Sequence, residues 1–234
     1  MEKDEEKEIL SLILGKNYEN RKSTLQMALS VARLLCCYKS GKTYSYASFL
    51  GDRNTVNDNP YDIAWRSSSP EADIFTAMLL YLIGLEQLGT LLTKNDKKES
   101  PCNRKGGIYR ILEEYYLSEC PEEDNEKRKN EIKAIVALRN ALAHSFGLFG
   151  CSEGENHKFT LKLRSDNSSV SIIELPKKKW TGDFNDKNEE TSTIIYPINL
   201  IKLIEEIISK IQLKDSRIIL DIEETKTRYS IISD

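Results

Sequence analysis

An apolar helix in the second quarter of the chain constrains the fold more than any other feature of the sequence. Ser69 can cap its start, Pro70 suits the first helical position, and the acidic Glu71 favours the positive end of a helix dipole. From about residue 70 to residue 94, apolar residues recur at helical spacing on two faces: Ile74, Met78, Tyr81, Leu85, Leu88 and Leu92 on one, and Phe75, Leu79 and Leu82 on the other. A helix that is apolar on two faces is expected near the centre of a helical bundle.

Periodic apolar residues predict further helices on both sides of this one. The predicted ranges are 2–14, about 25–36, about 108–117 and about 125–146. The first two of these helices should share a core face. Residues 39–69 are rich in Gly, Ser, Asn and Asp and keep no period, which favours a long ordered loop. The sequence therefore predicts a helical bundle over residues 1–150.

The pattern changes after residue 150 from helical spacing to alternation. Apolar residues alternate around 159–163 and again around 170–174, separated by the polar run Ser165–Ser168, which predicts a β-hairpin. A further short strand is expected at Thr193–Tyr196. We assign residues 151–196 to this β-hairpin excursion.

The chain is then expected to return to helix and to end in strands. A helix over 197–213, expected to pack back on the bundle, carries an apolar side of Leu200, Ile201, Ile204, Ile207, Ile208 and Ile211. The tail, 214–234, fits two short strands about a turn at Thr225–Thr227. The predicted fold class is mainly α, a helical bundle with a β-rich hairpin and tail in the C-terminal third, and so α+β overall.

The charge and the chain start set expectations about partners and localisation. A net charge of −3 gives no overall positive field, so binding of RNA must depend on local cationic patches. The apolar stretch Ala77–Leu85 is short and is followed by Glu86 and Gln87, so no membrane span is expected. The acidic start, Met1–Glu6, is unlike a secretory signal. These features predict a cytoplasmic protein.

The five cysteines are an odd number, and none forms a CxxC pair with another. They are expected to be reduced thiols and do not indicate a zinc site. No Ser–His–Asp pattern or carboxylate cluster stands out either. The sequence therefore predicts neither a metal nor another cofactor.

Arg139 is the chemically unusual residue of the predicted helix over 125–146. On an ideal helix it lies in the middle of an apolar arc of Ile135, Val136, Leu142 and Ala143. Because a buried guanidinium needs a counter-charge, Arg139 should meet a carboxylate, a neighbouring subunit or an anionic ligand. Glu86, which lies on an otherwise apolar stripe of its own helix, is the internal candidate. A purely structural Arg139–Glu86 pair is the alternative to a functional site.

His144 lies five residues after Arg139, about 140° further round an ideal helix, so the two side chains do not share a face unless the helix ends there. Ser145, Phe146 and Gly147 indicate that it does end. A histidine in the last turn of a helix also interacts well with the carbonyl end of the helix dipole. A capping role is therefore the alternative to a catalytic one.

Together, Arg139, Asn140 and His144 resemble the R-N-x-x-x-H form of the HEPN motif, which occurs in toxin, phage-defence and CRISPR-associated ribonucleases. The resemblance includes the helical context of residues 1–147 and does not extend to the hairpin and tail after 157. In small toxins of this family a tyrosine lies two places after the histidine and is modified by a partner. Here that position is Phe146, so that mode of silencing is not available.

The resemblance implies a metal-independent endoribonuclease that cuts single-stranded RNA in a composite cleft between two protomers. His144 would then be the general acid or base, Arg139 would bind the scissile phosphate, and Asn140 would position backbone or ligand. One motif per chain implies a homodimer, in a toxin or phage-defence role with a possible antitoxin or defence-system partner. The alternative is a non-catalytic HEPN-like module that binds RNA, nucleotide or a protein partner.

Two further features are weaker candidates for function. The run Lys177, Lys178, Lys179 and Trp180 could contact RNA by charge and stacking, although a surface loop with three lysines is more often merely solvated. His157 is the only other histidine, and we expect it to be an exposed bystander. Gly106-Gly107 is interpreted as a turn.

Overall fold

The computed structural model describes residues 2–14, 23–36, 38–39, 42–43, 70–91, 106–118, 121–145, 147–152, 154–162, 171–212 and 222–229. Its helices are α1 (Glu2–Leu14), α2 (Thr24–Leu35), α3 (Pro70–Leu91), α4 (Gly107–Leu112), α5 (Asn125–Ser145), α6 (Pro197–Gln212) and α7 (Ile222–Arg228). Its strands are β1 (Tyr38–Lys39), β2 (Lys42–Thr43), β3 (Phe149–Ser152), β4 (Glu155–Leu161), β5 (Ile173–Glu174) and β6 (Thr193–Ile195). The protein is thus mostly helical with a small mixed sheet in its C-terminal part, an α+β fold.

The chain divides into two compact units. The first comprises 1–84, 208–215 and 220–234, and the second comprises 85–207 and 216–219. The helices α3 and α6 each begin in one unit and end in the other. All the residues predicted for the candidate site belong to the second unit.

In the first unit, α1 and α2 pack together, which confirms their predicted common core face. The buried side chains of this pair include Ile9, Leu10, Ile13, Leu14, Leu25, Leu29 and Ala32. The Ser23 hydroxyl caps α2 by accepting a hydrogen bond from the backbone N–H of Gln26 at 3.0 Å. Part of the expected loop forms a small hairpin, β1 with β2, and the rest of 39–69 lies outside the described residues.

The tail prediction is wrong where the structure describes it. The expected turn at Thr225–Thr227 is helical and belongs to α7, which packs on α1. The backbone N–H of Thr24 also donates to the carbonyl of Tyr229 at 2.9 Å. This hydrogen bond fixes the end of α7 against the start of α2. The pattern of residues along the tail cannot reveal a contact with a segment so distant in sequence. The expected strands at 217–221 and 230–232 lie outside the described residues.

Helix α3 begins at the predicted proline and ends at Leu91, so the predicted end, 92–94, lies outside the described residues. Met78, Tyr81, Leu82, Leu85 and Leu88 are fully buried, whereas Ile74, Phe75 and Leu79 are only half-buried. The stretch Asp73–Leu91 is long and apolar enough to cross a membrane by length and composition alone, but half of it is buried in the structure. The core helix of a soluble protein meets the same test.

The second unit contains a four-stranded sheet in the order β3-β4-β6-β5. Strands β3 and β4 are antiparallel, β4 and β6 are parallel, and β6 and β5 are antiparallel. The predicted hairpin between the regions of β4 and β5 is therefore wrong, because β6 inserts between them and β4 forms its hairpin with β3. The predicted strand at 193–196 is confirmed as this central strand, whereas the predicted turn residues 165–168 lie outside the described residues.

Helix α5 packs against β3 and β4 on one face of this sheet. Gly150 makes the close approach possible, since a Cβ atom there would lie 3.1 Å from the Cβ of Ala141. His157 is paired with Gly150 and Phe159 follows on the same face, while Phe149 and Lys158 point to the other face. The segment 175–192, which contains a 3-10 turn at Glu189–Thr191, contacts Phe149 and Lys158 on that other face and carries the predicted Lys177–Trp180 run.

Helix α6 has the predicted apolar side. Leu200, Ile201, Ile204, Ile207, Ile208 and Ile211 are all fully buried. The helix is described as far as Gln212, and its predicted last residue, 213, lies outside the described residues.

Candidate functional site

Arg139 lies in the second half of α5 and is half-buried. Its Nη1 donates a hydrogen bond to the Oδ1 of Asn140 at 3.0 Å. Its Nε is buried, and no described residue accepts a hydrogen bond from it. A guanidinium with a buried, unused N–H donor is an uncommon and costly arrangement, and an anion would relieve it.

The expected Arg139–Glu86 pair is wrong within the described part of the second unit. The two carboxylate oxygens of Glu86 accept hydrogen bonds from the backbone N–H groups of Gly107 and Ile108, at 2.9 and 3.0 Å. Glu86 therefore caps the N-terminus of α4, where the first N–H groups of a helix lack partners of their own. Gly107 does more than form the predicted turn, because a Cβ atom there would lie 2.1 Å from the backbone oxygen of Glu86.

His144 lies in the last turn of α5, as predicted, and its side chain is exposed. The helix ends one residue later, and the N–H of Gly147 turns back to the carbonyl of Ala141 at 3.4 Å. No hydrogen bond between described residues joins His144 to Arg139 or Asn140. Within one chain the structure thus joins Arg139 to Asn140 by a hydrogen bond and shows none from His144 to either of them, with Phe146 outside the described residues.

The lysine run is partly neutralised by acidic neighbours. Lys178 pairs with Glu190 at 2.5 Å and Lys179 pairs with Glu155 at 3.2 Å, and all four side chains are largely exposed. Pairing with the lysine lowers the pKa of each carboxyl and raises that of Lys178. Such surface pairs contribute little to stability and can exchange for another anion. Lys177 is exposed and forms no ion pair with the residues described.

Trp180 cannot act as the surface stacking platform that the sequence suggested, because its side chain is only 4% exposed. Its indole N–H donates to the carbonyl of Asp183 at 3.0 Å. Its ring packs against Phe149 and Phe184, which are 39% and 75% exposed. Sequence reasoning missed Phe184, although a single aromatic residue in a run of Gly, Asp and Asn was a usable signal.

His157 is half-buried rather than exposed, which corrects the bystander prediction. It lines a cleft of about 300 Å³ that also includes Lys133 and Ala134 of α5, Asn156 of β4 and Trp180. Its ring is stacked on that of Phe159, with centroids 6.0 Å apart. Burial lowers the pKa of His157, against the opposing attraction of Glu155, and so favours the neutral imidazole.

Within the described ranges, no group of three or more His, Cys, Asp or Glu side chains is arranged to hold a metal ion. Comparison with known proteins adds no relative: no family model, no curated protein and no solved structure matches the chain. The likeness to HEPN proteins therefore depends on the residues of α5 and their helical setting.

Proposed function

We propose that this protein is a metal-independent endoribonuclease that cuts single-stranded RNA, in a toxin or phage-defence role, at a site built from two copies of the α5 C-terminus. The observation that carries the proposal is the unused, buried Nε of Arg139 beside Asn140, in a chain that repeats the spacing of the HEPN motif. A phosphate oxygen is a suitable acceptor for this donor, because guanidinium and phosphate form charge-assisted hydrogen bonds.

In the proposed reaction the ribose 2′-oxygen attacks the adjacent phosphorus and the 5′-oxygen leaves, giving a 2′,3′-cyclic phosphate and a 5′-hydroxyl. One proton must be removed from the 2′-hydroxyl and one must be given to the leaving oxygen. The His144 side chains of two protomers can perform these two transfers. Arg139 stabilises the negative charge that develops on the phosphoryl oxygens, and its hydrogen bond with Asn140 holds one end of the guanidinium in place.

The exposure of His144 is compatible with this arrangement, since a side chain at the end of α5 can meet a second copy. The proposal therefore requires a symmetric dimer in which the two α5 C-termini lie close together. Light scattering measures whether the protein is a dimer in solution. A strict monomer at micromolar concentration would remove the composite site.

Cleavage of single-stranded RNA in EDTA tests the chemistry. The wild type should cut, and His144→Ala should reduce the rate on the order of 10²-fold or more through loss of proton transfer. Arg139→Lys should also impair cleavage, because an ammonium cannot reproduce the guanidinium fork. Lys202→Ala, an exposed change on α6, is the matched control and should cut normally. Equal cleavage by the wild type and His144→Ala would identify the activity as a contaminant.

A second candidate function is a non-catalytic module that binds RNA, nucleotide or a protein partner. It is favoured by the setting of His144, because no described residue forms a hydrogen bond with the imidazole. Acid–base catalysts usually require such a partner to orient the ring. The same assay separates the two functions. If neither the wild type nor His144→Ala cuts RNA but both bind it, the second function is correct.

A further inference from the structure

Phe184 is a large apolar side chain that the fold holds in water. Its ring is 75% exposed, although it contacts the rings of Trp180 and Phe149 with centroid distances of 5.6 and 5.3 Å. Both contacts are edge-to-face, at interplanar angles of 83° and 67°. Edge-to-face packing fixes a ring in position without covering all of its π surface.

The segment that carries Phe184 is tied down on both sides of the ring. The Trp180 indole donates to the carbonyl of Asp183, and the Asp183 carboxylate accepts from the N–H of Asn185 at 2.9 Å. Lys158 of β4 donates to the carbonyls of Asp186 and Asn188 at 2.7 and 3.0 Å. The ring is therefore presented in one geometry, so the protein loses little conformational entropy when a ligand covers the ring.

The cleft described above adjoins this ring through Trp180, which lines the cleft and contacts Phe184. Lys133 lies at the cleft, is exposed, and forms no ion pair with the residues described. Asn130 and Asn156 add amide groups, and the neutral imidazole of His157 can donate one hydrogen bond and accept another. Its volume of about 300 Å³ is in the range of small-ligand sites.

An exposed aromatic ring that is connected through Trp180 to a cleft with a cation and amide groups has the features that bind an unpaired nucleotide. Every base has a π face that can stack on an aromatic side chain, and a nearby lysine can neutralise the phosphate. The lysines at this surface could serve a peptide carboxylate equally well, but the flat, rigid ring and the amide-lined cleft favour a base over a flexible side chain.

We infer that Phe184 and the adjoining cleft form a binding surface for single-stranded RNA, on which one base stacks on Phe184 and a neighbouring nucleotide enters the cleft with its phosphate near Lys133. This inference rests on the proposed function, because it assigns to the same RNA substrate a contact surface separate from the Arg139–His144 motif. Binding at this surface is tolerant of base sequence and weakens with salt.

Fluorescence anisotropy with a labelled 2′-O-methyl oligonucleotide of roughly eight nucleotides measures this contact without cleavage, since the attacking 2′-hydroxyl is blocked. Phe184→Ala and Phe184→Leu should each weaken binding about tenfold or more, whereas Phe184→Trp should restore it, because only an aromatic ring stacks. Lys133→Ala should weaken binding and reduce its salt dependence. Met27→Ala on α2, which changes another exposed large apolar side chain but in the other unit, is the control and should bind like the wild type.

The experiment separates failure of this inference from failure of the proposed function. Equal binding by the wild type, Phe184→Ala and Phe184→Leu, or no binding by the wild type, would overturn the inference. A change in Phe184→Ala that affects only self-association would also overturn it and identify the ring as a protein contact. Loss of binding in the Phe184 variants supports the inference even if the RNA cleavage assay is negative, which would contradict the nuclease alone.

Discussion

Replacing Glu86 by Ala tests whether Glu86 caps α4. Combined with a change at Arg139, it also tests whether the two side chains pair. The substitution removes both acceptors of the Gly107 and Ile108 N–H groups. Loss of a capping side chain costs about 0.5–2 kcal/mol, and loss of a negative charge at a helix N-terminus adds about 0.3–1 kcal/mol. Because Glu86 is half-buried, water replaces part of the loss, and we expect a destabilisation of roughly 2 kcal/mol.

The measurement is urea unfolding followed by circular dichroism. Glu86→Gln is the matched variant, because it keeps one acceptor oxygen while losing the charge, and it should cost about half as much as Glu86→Ala. A double-mutant cycle with Arg139→Met decides whether Glu86 also pairs with Arg139. Since Glu86 and Arg139 share no hydrogen-bond partner in the structure, their effects should add to within about 0.5 kcal/mol.

Two results would refute this reasoning. Breaking a buried ion pair typically costs about 3–5 kcal/mol, so a coupling energy above about 1.5 kcal/mol between positions 86 and 139 would restore the salt bridge that the sequence suggested. Unchanged stability in Glu86→Ala would show that the carboxylate does not cap α4. The first result would weaken the case for an anion site, because Glu86 would then occupy the guanidinium of Arg139. The second would weaken it because the surrounding structure would be wrong.

Three further predictions follow from packing and titration. Gly89→Ala should lower the free energy of unfolding in urea by several kcal/mol, because its Cβ would lie 1.7 Å from the Gly107 oxygen. Gly84→Ala is the control and should be near neutral, because its Cβ meets only flexible leucine side chains, and equal effects of the two changes would contradict the close contact at Gly107. Burial raises the pKa of Glu131, so the stability of the wild type relative to Glu131→Gln, measured by urea unfolding, should fall as pH rises from about 4 to 7. A difference in stability that stays flat or rises over this range would contradict the raised pKa. Burial lowers the pKa of His157, so its NMR titration midpoint should lie below 6.5, and the stability of the protein should fall as pH drops below 6.5 and the imidazole gains a proton. A midpoint above 6.5 would contradict the half-buried position of His157 in the cleft.

The helices α3, α5 and α6 were predicted well because their signals are local. Pro70 begins α3, the six apolar residues of α6 are all buried, and α5 ends beside His144. In each case a helix period of 3.6 residues and a start or stop residue were sufficient. The motif residues of α5 could likewise be placed on their helix from the sequence.

The site was predicted less completely, since the partners of its residues lie far along the chain. Glu86 was correctly recognised as a carboxylate in an apolar setting, but its partner is the N-terminus of α4 rather than Arg139. Trp180 was correctly recognised as an aromatic residue beside lysines, but its ring is covered by Phe149 and Phe184. Which of several nearby groups a side chain meets depends on how the backbone segments pack, and the sequence does not contain those distances.

By itself the sequence determined the helices α1, α2, α3 and α5, the position of α6 and the presence of strands after residue 150, because periodicity and capping are properties of neighbouring residues. Only the tertiary structure decided that β6 separates β4 from β5 and that the tail forms α7. Alternation shows that a strand has one buried face but not which strand lies beside it. A short tail segment with mixed propensity takes the conformation that its long-range packing selects, here α7 against α1.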